Sequence, residues 1–344
     1  MDNVLRWGIL GTGNIARQFC DGVNASVRGK LGAVGSRSAE SARAFAAEHD
    51  IPAAFGEYEA VLADRDVDAV YVALPNSMHH EWTMRALRAG KHVLCEKPLA
   101  ANADEAREMF DEAEKAGRIL VEAFMYRAHP LTSAVLEEVR RGTLGRLMLI
   151  RASFCFRTMK IQDNIRFRPD MAGGSLMDVG CYCIDFARLV AGAEPVSVHA
   201  AGHLHESGVD DAAVGCLAFP GGVLATFSCG MSVQADNTAS ICGSEAYIEV
   251  PVPWKPPPKQ AVYVIGRSVP PRMDGGGGGG GGTPPPPPRE THHVDAGMNL
   301  YGVEADHFAA TVLDGRKAFM SRQDSIGNMV ILDEMRKQIG VALG

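Results

Sequence analysis

Long apolar runs are missing from this 344-residue chain: nowhere does an uncharged hydrophobic stretch approach the roughly 18 residues a membrane span needs. Nor do the first residues carry a basic segment leading into an apolar one, so no secretory leader is expected and a cytoplasmic location is. Cysteine is sparse. The eight thiols fall singly except at Cys181-Tyr182-Cys183, and without a Cys-x-x-Cys pair they indicate neither a disulfide framework nor a structural zinc site. The pairs His203/His205 and His292/His293 lack a third ligand at a workable spacing, so no metal is expected. Basic residues are in deficit, 34 against 41 acidic, and the net charge of -7 is opposite in sign to that of a phosphate-neutralising protein. Nucleic acid is therefore not an expected partner. Also absent are a Gly-x-Ser-x-Gly nucleophile turn and a lysine-bearing phosphate loop.

What is present is a globular composition, 46% hydrophobic and 22% charged, in a chain whose length suits two domains. Over 1–125 short apolar runs at 5–10, 30–34, 69–73, 92–95 and 119–123 alternate with helical patterns such as 78–89 and 104–116. This is the signature of a parallel, doubly wound sheet with crossover helices. From 126 to 344 the rhythm changes. Helices at 130–140 and 176–190 flank a strand at 147–156. Runs at 196–200, 213–219, 223–228, 240–242 and 246–250 then follow without room for crossovers, which predicts an open antiparallel sheet with helices on one face. Helical patterns at 303–313 and 324–343 close the chain. The segment 256–290, with prolines at 256–258, glycines at 275–282 and prolines at 284–288, cannot pack and reads as a mobile surface insertion.

Gly11-Thr12-Gly13-Asn14-Ile15-Ala16 follows an apolar strand and opens a helix. In the pattern Gly-x-Gly-x-x-Ala the glycines let the backbone approach a pyrophosphate at the helix N-terminus. The second strand runs into Ser36-Arg37-Ser38, where an NAD site would carry an acidic residue. A hydroxyl and a guanidinium suit a 2′-phosphate instead, so NADP(H) is expected in preference to NAD(H). In the glycine-rich Ala172-Gly173-Gly174-Ser175-Leu176 turn and the helix after it, Asp178 and Tyr182 lie four apart and share a face.

Pro75-Asn76 with His79, the Ala-Gly-Lys-His-Val turn at 89–93, and Glu96-Lys97-Pro98 resemble the glucose-fructose oxidoreductase / inositol dehydrogenase / MocA family, and the resemblance covers nearly the whole chain. It implies a Rossmann domain joined to an open-sheet domain that forms a homodimer contact. It places Lys97 beside the nicotinamide, with Glu96 holding cofactor ribose, Pro98 after a cis bond, and Leu74, Pro75, Asn76 and His79 lining the cofactor. The pattern Gly-Gly-x-Leu-x-Asp-x-Gly-x-His/Tyr implies a catalytic set of Lys97, Asp178 and Tyr182. A phenol can pass a proton to or from the reacting oxygen while an ammonium favours the developing alkoxide. The segment from Val121 to Pro130 is also like the family, implying that Tyr126, Arg127 and His129 contact substrate. The tyrosine variant, with Phe154 and Trp254 as an aromatic wall, most resembles the family's dihydrodiol and NADP-dependent D-xylose dehydrogenase branch. The implied substrate is an aldose or a cyclic trans-diol, with a ketosugar or nucleotide-deoxysugar reductase as the nearest alternative. A non-catalytic NADP(H)-binding sensor or scaffold is the alternative of another class. Substrate phosphates would have to use Arg127, Arg157, Lys160, Arg166 or Arg168.

Overall fold

A computed structural model describes residues 4–267 and 288–342. In the first half the expected alternation appears as β1 (Leu5–Leu10), α1 (Asn14–Ala25), β2 (Gly29–Gly35), α2 (Ala39–His49), β3 (Ala53–Phe55), α3 (Tyr58–Ala63), β4 (Ala69–Val72), α4 (His79–Arg88), β5 (His92–Glu96), α5 (Ala103–Ala116) and β6 (Leu120–Ala123). The central strands are buried on both faces, as a sheet covered by helices on both sides requires. All six strands pair in parallel, in the order β3-β2-β1-β4-β5-β6. The chain reverses its winding between β1 and β4, and in such sheets ligands bind outside the carboxyl ends of the strands at that point. The strand β3 escaped the sequence reading because it is three residues long and only partly buried.

The second half contains α6 (Met125–Ala128), α7 (Pro130–Arg140), β7 (Leu147–Cys155), α8 (Cys181–Ala191), β8 (Ser197–Leu204), β9 (Asp210–Ala218), β10 (Leu224–Gly230), β11 (Ala239–Gly243), β12 (Tyr247–Val250), β13 (Ala261–Gly266), β14 (Arg289–Val294), α9 (Leu300–Asp314) and α10 (Arg322–Gln338). Eight strands form a sheet in the order β14-β13-β12-β11-β7-β10-β9-β8. It is antiparallel except between β7 and β10, where the intervening chain, with α8, β8 and β9 in it, is long enough to return in the same direction. One face carries Ile150, Leu217, Phe227 and Ile241, all buried, with α8 lying against β7 and β10. The other face is open and presents Val214 and Leu224, 55% and 52% exposed.

Two of the differences from expectation bear on the shape of the second half. Within the stretch read as an unpacked insertion, 261–266 is the strand β13. Its alternating burial follows Ala261, Tyr263 and Ile265 turning inward, and it pairs with β14. The glycines at 275–282 and prolines 284–287 lie outside the described residues. At the C-terminus, α10 stops at Gln338 rather than 343, with Gly340 at φ +82° just beyond it. Both closing helices pack onto the first sheet's helices, α9 on α1 and α10 on α5.

Candidate active site

A cavity of about 1030 Å³ opens at the carboxyl ends of the first sheet's strands and continues under the second sheet. Gly11 sits at φ +103°, and a Cβ there would lie 2.5 Å from the Ala73 carbonyl oxygen, so only glycine fits between β1 and β4. Gly13 is the N-cap residue of α1 and supplies no side-chain cap, unlike Ser38 on α2 and Asn102 on α5. The first N–H groups of α1 are therefore left for a ligand. Thr12, Asn14, Ile15, Ser36 and Arg37 line the same cavity. Arg37 makes no ion pair among the described residues. Ser38 is not part of the lining; its hydroxyl accepts from the Ser41 amide, 3.3 Å away, as the cap of α2.

Leu74, Pro75, Asn76, His79 and Glu96 line the same cavity. His79 is fully buried, with Nδ1 2.8 Å from the Pro98 carbonyl oxygen and Nε2 2.9 Å from that of Leu74. It ties the loop after β4 to the loop after β5, and burial pushes its pKa down to about 4 against the pull of the two carbonyls. Glu96 accepts from the Tyr71 hydroxyl and, at 3.2 Å, from the Lys97 amide; burial holds its carboxyl above the ordinary range. The Lys97-Pro98 bond is cis, as expected.

The Lys97 ammonium donates to the Asp178 backbone carbonyl at 2.8 Å and lies 3.2 Å from the carboxylate oxygen Oδ1. It also stands 5.2 Å from the centre of the Tyr182 ring. Burial alone would lower the Lys97 pKa, but Asp178 raises it and the net direction is up. For Asp178 burial works upward, yet Lys97 and Arg166 outweigh it and keep the carboxylate ionised. Arg166 binds the other carboxylate oxygen at 2.7 Å, so Asp178 is clamped between two cations. The turn carrying Asp178 is a π-helical segment, Leu176–Gly180, rather than the start of a regular helix. The buried Asp210 fixes its entry by accepting from the Ser175 hydroxyl and the Leu176 amide, both at 2.7 Å. Gly174, at φ +116°, is required there because a Cβ would lie 2.3 Å from Asp210 Oδ1.

Tyr182 is 3% exposed and burial raises its pKa well above the ordinary value. Its hydroxyl donates to the Met125 thioether sulfur at 3.2 Å, a weak acceptor. Phe154 and Trp254 line the cavity side by side, stacked at 5.7 Å with 8° between their planes, and Trp254 is fixed by donating to the Ser153 carbonyl at 2.8 Å. Both rings also meet the Tyr182 ring edge-on.

The structure places Tyr126 and Arg127 elsewhere. Neither lines the cavity: the Tyr126 hydroxyl donates to Asp185, and the Arg127 guanidinium grips the same carboxylate at 2.6 and 2.8 Å and reaches Asp324 at 3.3 Å. His129 is likewise committed, accepting from the Leu131 amide at the start of α7. Asp185→Ala should leave the buried guanidinium of Arg127 with only its 3.3 Å contact to the carboxylate of Asp324 and destabilise the fold by about 3 kcal/mol. Chemical denaturation checks this, and a loss under about 1 kcal/mol would show the pair to be dispensable.

Cavity residues missed from sequence include Met125, Lys255 and Tyr301. Burial, and then Lys97, lower the Lys255 pKa. Lys255 adjoins Trp254 and could have been found from that neighbour; Tyr301 carries no local signal. Among the described residues no cluster of His, Cys, Asp and Glu could hold a metal, and no helix is long and apolar enough to cross a membrane.

Comparison with known proteins accords with this geometry. Residues 5–124 match the family model described as an oxidoreductase family with an NAD-binding Rossmann fold, and residues 132–249 match the GFO/IDH/MocA C-terminal domain. The chain is 34% identical to the mouse (Mus musculus) trans-1,2-dihydrobenzene-1,2-diol dehydrogenase over 98% of this chain and 97% of that one. It is 44% identical to an NADP⁺-linked D-xylose 1-dehydrogenase of Haloferax volcanii over 64% of this chain and 68% of the relative. Among solved structures, a 3-ketoreductase from Actinomadura kijaniata in complex with NADP and TDP-benzene superposes with a TM-score of 0.84 at 30% identity, covering 98% of both chains. An aldose-aldose oxidoreductase from Caulobacter crescentus, complexed with glycerol, gives a TM-score of 0.84 at 27% identity over 97% of both.

Proposed function

Because the chain belongs to the GFO/IDH/MocA family of oxidoreductases, we propose that it moves a hydride between NADP(H) and a hydroxyl-bearing carbon of an aldose or a cyclic trans-diol. The observation that carries this reading is the meeting of Lys97, Asp178 and Tyr182 in one cavity with the uncapped α1 N-terminus and an Arg37 that makes no ion pair among the described residues. The ends of β2 and β5 are three strand spacings apart, about 14 Å, a span that supports assigning Arg37 and Lys97 to opposite ends of an extended dinucleotide. Gly11, Thr12, Gly13, Asn14 and Ile15 would hold the pyrophosphate, Ser36 and Arg37 the 2′-phosphate, and Leu74, Pro75, Asn76, His79 and Glu96 the nicotinamide half. When bound, the nicotinamide supplies the hydride acceptor or donor.

The protein's own share is the proton. With its pKa raised by burial, Tyr182 keeps its hydrogen at neutral pH and holds it only to a thioether. It is an acid ready to protonate the oxygen of a carbonyl being reduced, and in oxidation it receives that proton back. Lys97 holds positive charge against the developing alkoxide, and Asp178, ionised between Lys97 and Arg166, keeps the ammonium in place. Phe154 and Trp254 give the apolar face of a sugar or diol ring a flat surface.

The coenzyme choice is tested at Arg37. The wild type should bind NADPH at least about tenfold more tightly than NADH, and Arg37→Asp should reverse that order, since a carboxylate repels the 2′-phosphate and accepts from ribose hydroxyls. Fluorescence titration reads both affinities; an unaltered preference in the variant would remove Arg37 from the site.

A second reading, reduction of a nucleotide-linked ketosugar, is favoured by the likeness to the 3-ketoreductase and by two further cations, Arg166 and Lys255, on the cavity wall. The open face of the second sheet is the surface proposed to pair in a homodimer, and light scattering on the purified chain would return twice the 36.7 kDa mass if it does.

A further inference from the structure

The helix α9 begins almost 290 residues after the dinucleotide-binding turn, yet it contributes to the same cavity. Its second residue, Tyr301, lines the cavity wall and is 7% exposed, and its hydroxyl has no hydrogen-bond partner among the described residues. A buried phenol without a partner forfeits a hydrogen bond that water would have supplied. Its position is not accidental. Gly22 of α1 meets the start of α9 so closely that a Cβ on it would lie 2.6 Å from Tyr301 backbone and side-chain carbon and 2.7 Å from the Gly302 amide. Further contacts hold this register: Asp306 accepts from the Ser26 hydroxyl and, at 3.0 Å, from the Arg28 amide, and Arg28 pairs with Asp314. The helix that opens at the pyrophosphate turn is thus locked to the helix that carries Tyr301. α9 also packs on α6, which carries Met125, the acceptor of the Tyr182 hydroxyl, and Tyr301 shares electrostatic interactions with Glu96 and Tyr182 on the same cavity wall. On the coenzyme reading above, this is the end that takes the nicotinamide.

Resting on the coenzyme reading above, we propose that Tyr301 completes the cofactor site: its hydroxyl hydrogen-bonds the nicotinamide half of the bound dinucleotide, and the glycine contact between α1 and α9 sets that reach. The nicotinamide amide and ribose offer both donors and acceptors, which a phenol can match in either sense. Glu304, one turn further on, is fully buried with neither carboxyl oxygen hydrogen-bonded among the described residues, and burial raises its pKa well above the usual range.

The test is Tyr301→Phe in the full chain, with fluorescence-detected binding of NADPH and, by competition, of adenosine 2′,5′-bisphosphate, which lacks the nicotinamide half. Losing one hydrogen bond should weaken NADPH roughly three- to tenfold and leave the bisphosphate unchanged. The melting temperature without ligand should also hold, because no bond within the protein is removed. Gly22→Ala, which deletes no polar atom but pushes α9 away, should weaken NADPH in the same direction. Unaltered NADPH affinity in Tyr301→Phe, or an equal loss for both ligands, would overturn the inference. A wild-type chain that bound no NADPH would overturn the coenzyme reading along with it, whereas wild-type binding with an unaffected variant sinks this inference alone.

Discussion

Tyr182→Phe should lower kcat by about 100- to 10,000-fold in either direction while leaving NADPH affinity close to that of the wild type. The hydroxyl it removes bonds only to the Met125 sulfur, and the ring would keep its contacts with Phe124, Phe154 and Trp254, so packing survives and the proton donor does not. The pH profile of the wild type should carry the same signature. Since burial lifts the Tyr182 pKa, the acid form persists, and carbonyl reduction should stay level between about pH 6 and 9 and fall only at higher pH. The reverse reaction needs the proton removed and should speed up as pH rises. Stopped-flow measurement of both directions checks the two slopes. A variant retaining more than about a tenth of wild-type turnover would move the proton to another group, with Lys97 the first to consider.

The second large effect belongs to Lys97. Lys97→Ala should cut kcat by about 100- to 1,000-fold, the range seen when one donor to a developing oxyanion is lost. Asp178 would keep its 2.7 Å contact to Arg166, so the substitution does not strand a bare carboxylate, and the fold should stand. Without the ammonium, oxidation should demand higher pH than in the wild type, because less positive charge then favours the deprotonated phenol. Lys97→Arg should restore part of the rate, since it keeps the charge but not the single-point geometry. Steady-state kinetics beside coenzyme binding separates these outcomes. A loss confined to NADPH affinity, with kcat intact, would make Lys97 a binding residue only.

What the sequence made legible was what lies close along the chain. The turn from Gly11 to Ala16 announces a strand-turn-helix unit because glycine spacing and the flanking apolar run sit within a dozen residues, and the fold confirms it. Lys97 and the pair Asp178/Tyr182 stood out through short motifs, though not the π-helical turn that carries Asp178. Other features depend on distant partners. Tyr126 and Arg127 look like site residues in their own segment, and nothing local reveals that Asp185, 59 and 58 residues on, takes both. Arg166 was noted only as a possible phosphate ligand; its bond to Asp178 follows from the path of the loop after β7. Tyr301 reaches the cavity because two glycines, 280 positions apart, let α1 and α9 touch, and no periodicity encodes that. In the second sheet β13 was masked by its neighbourhood, since its alternating pattern lies beside a proline and glycine tract.

The most direct test of the whole reading follows nicotinamide absorbance with the wild-type chain, NADP and NAD, across aldoses, inositols and cyclic diols, and NADPH with nucleotide-linked ketosugars. The expected result is NADP-linked turnover with one sugar or diol class and little with NAD. NADPH bound tightly with no turnover of any substrate in either direction would contradict it, and would leave a dinucleotide sensor as the better description of the molecule.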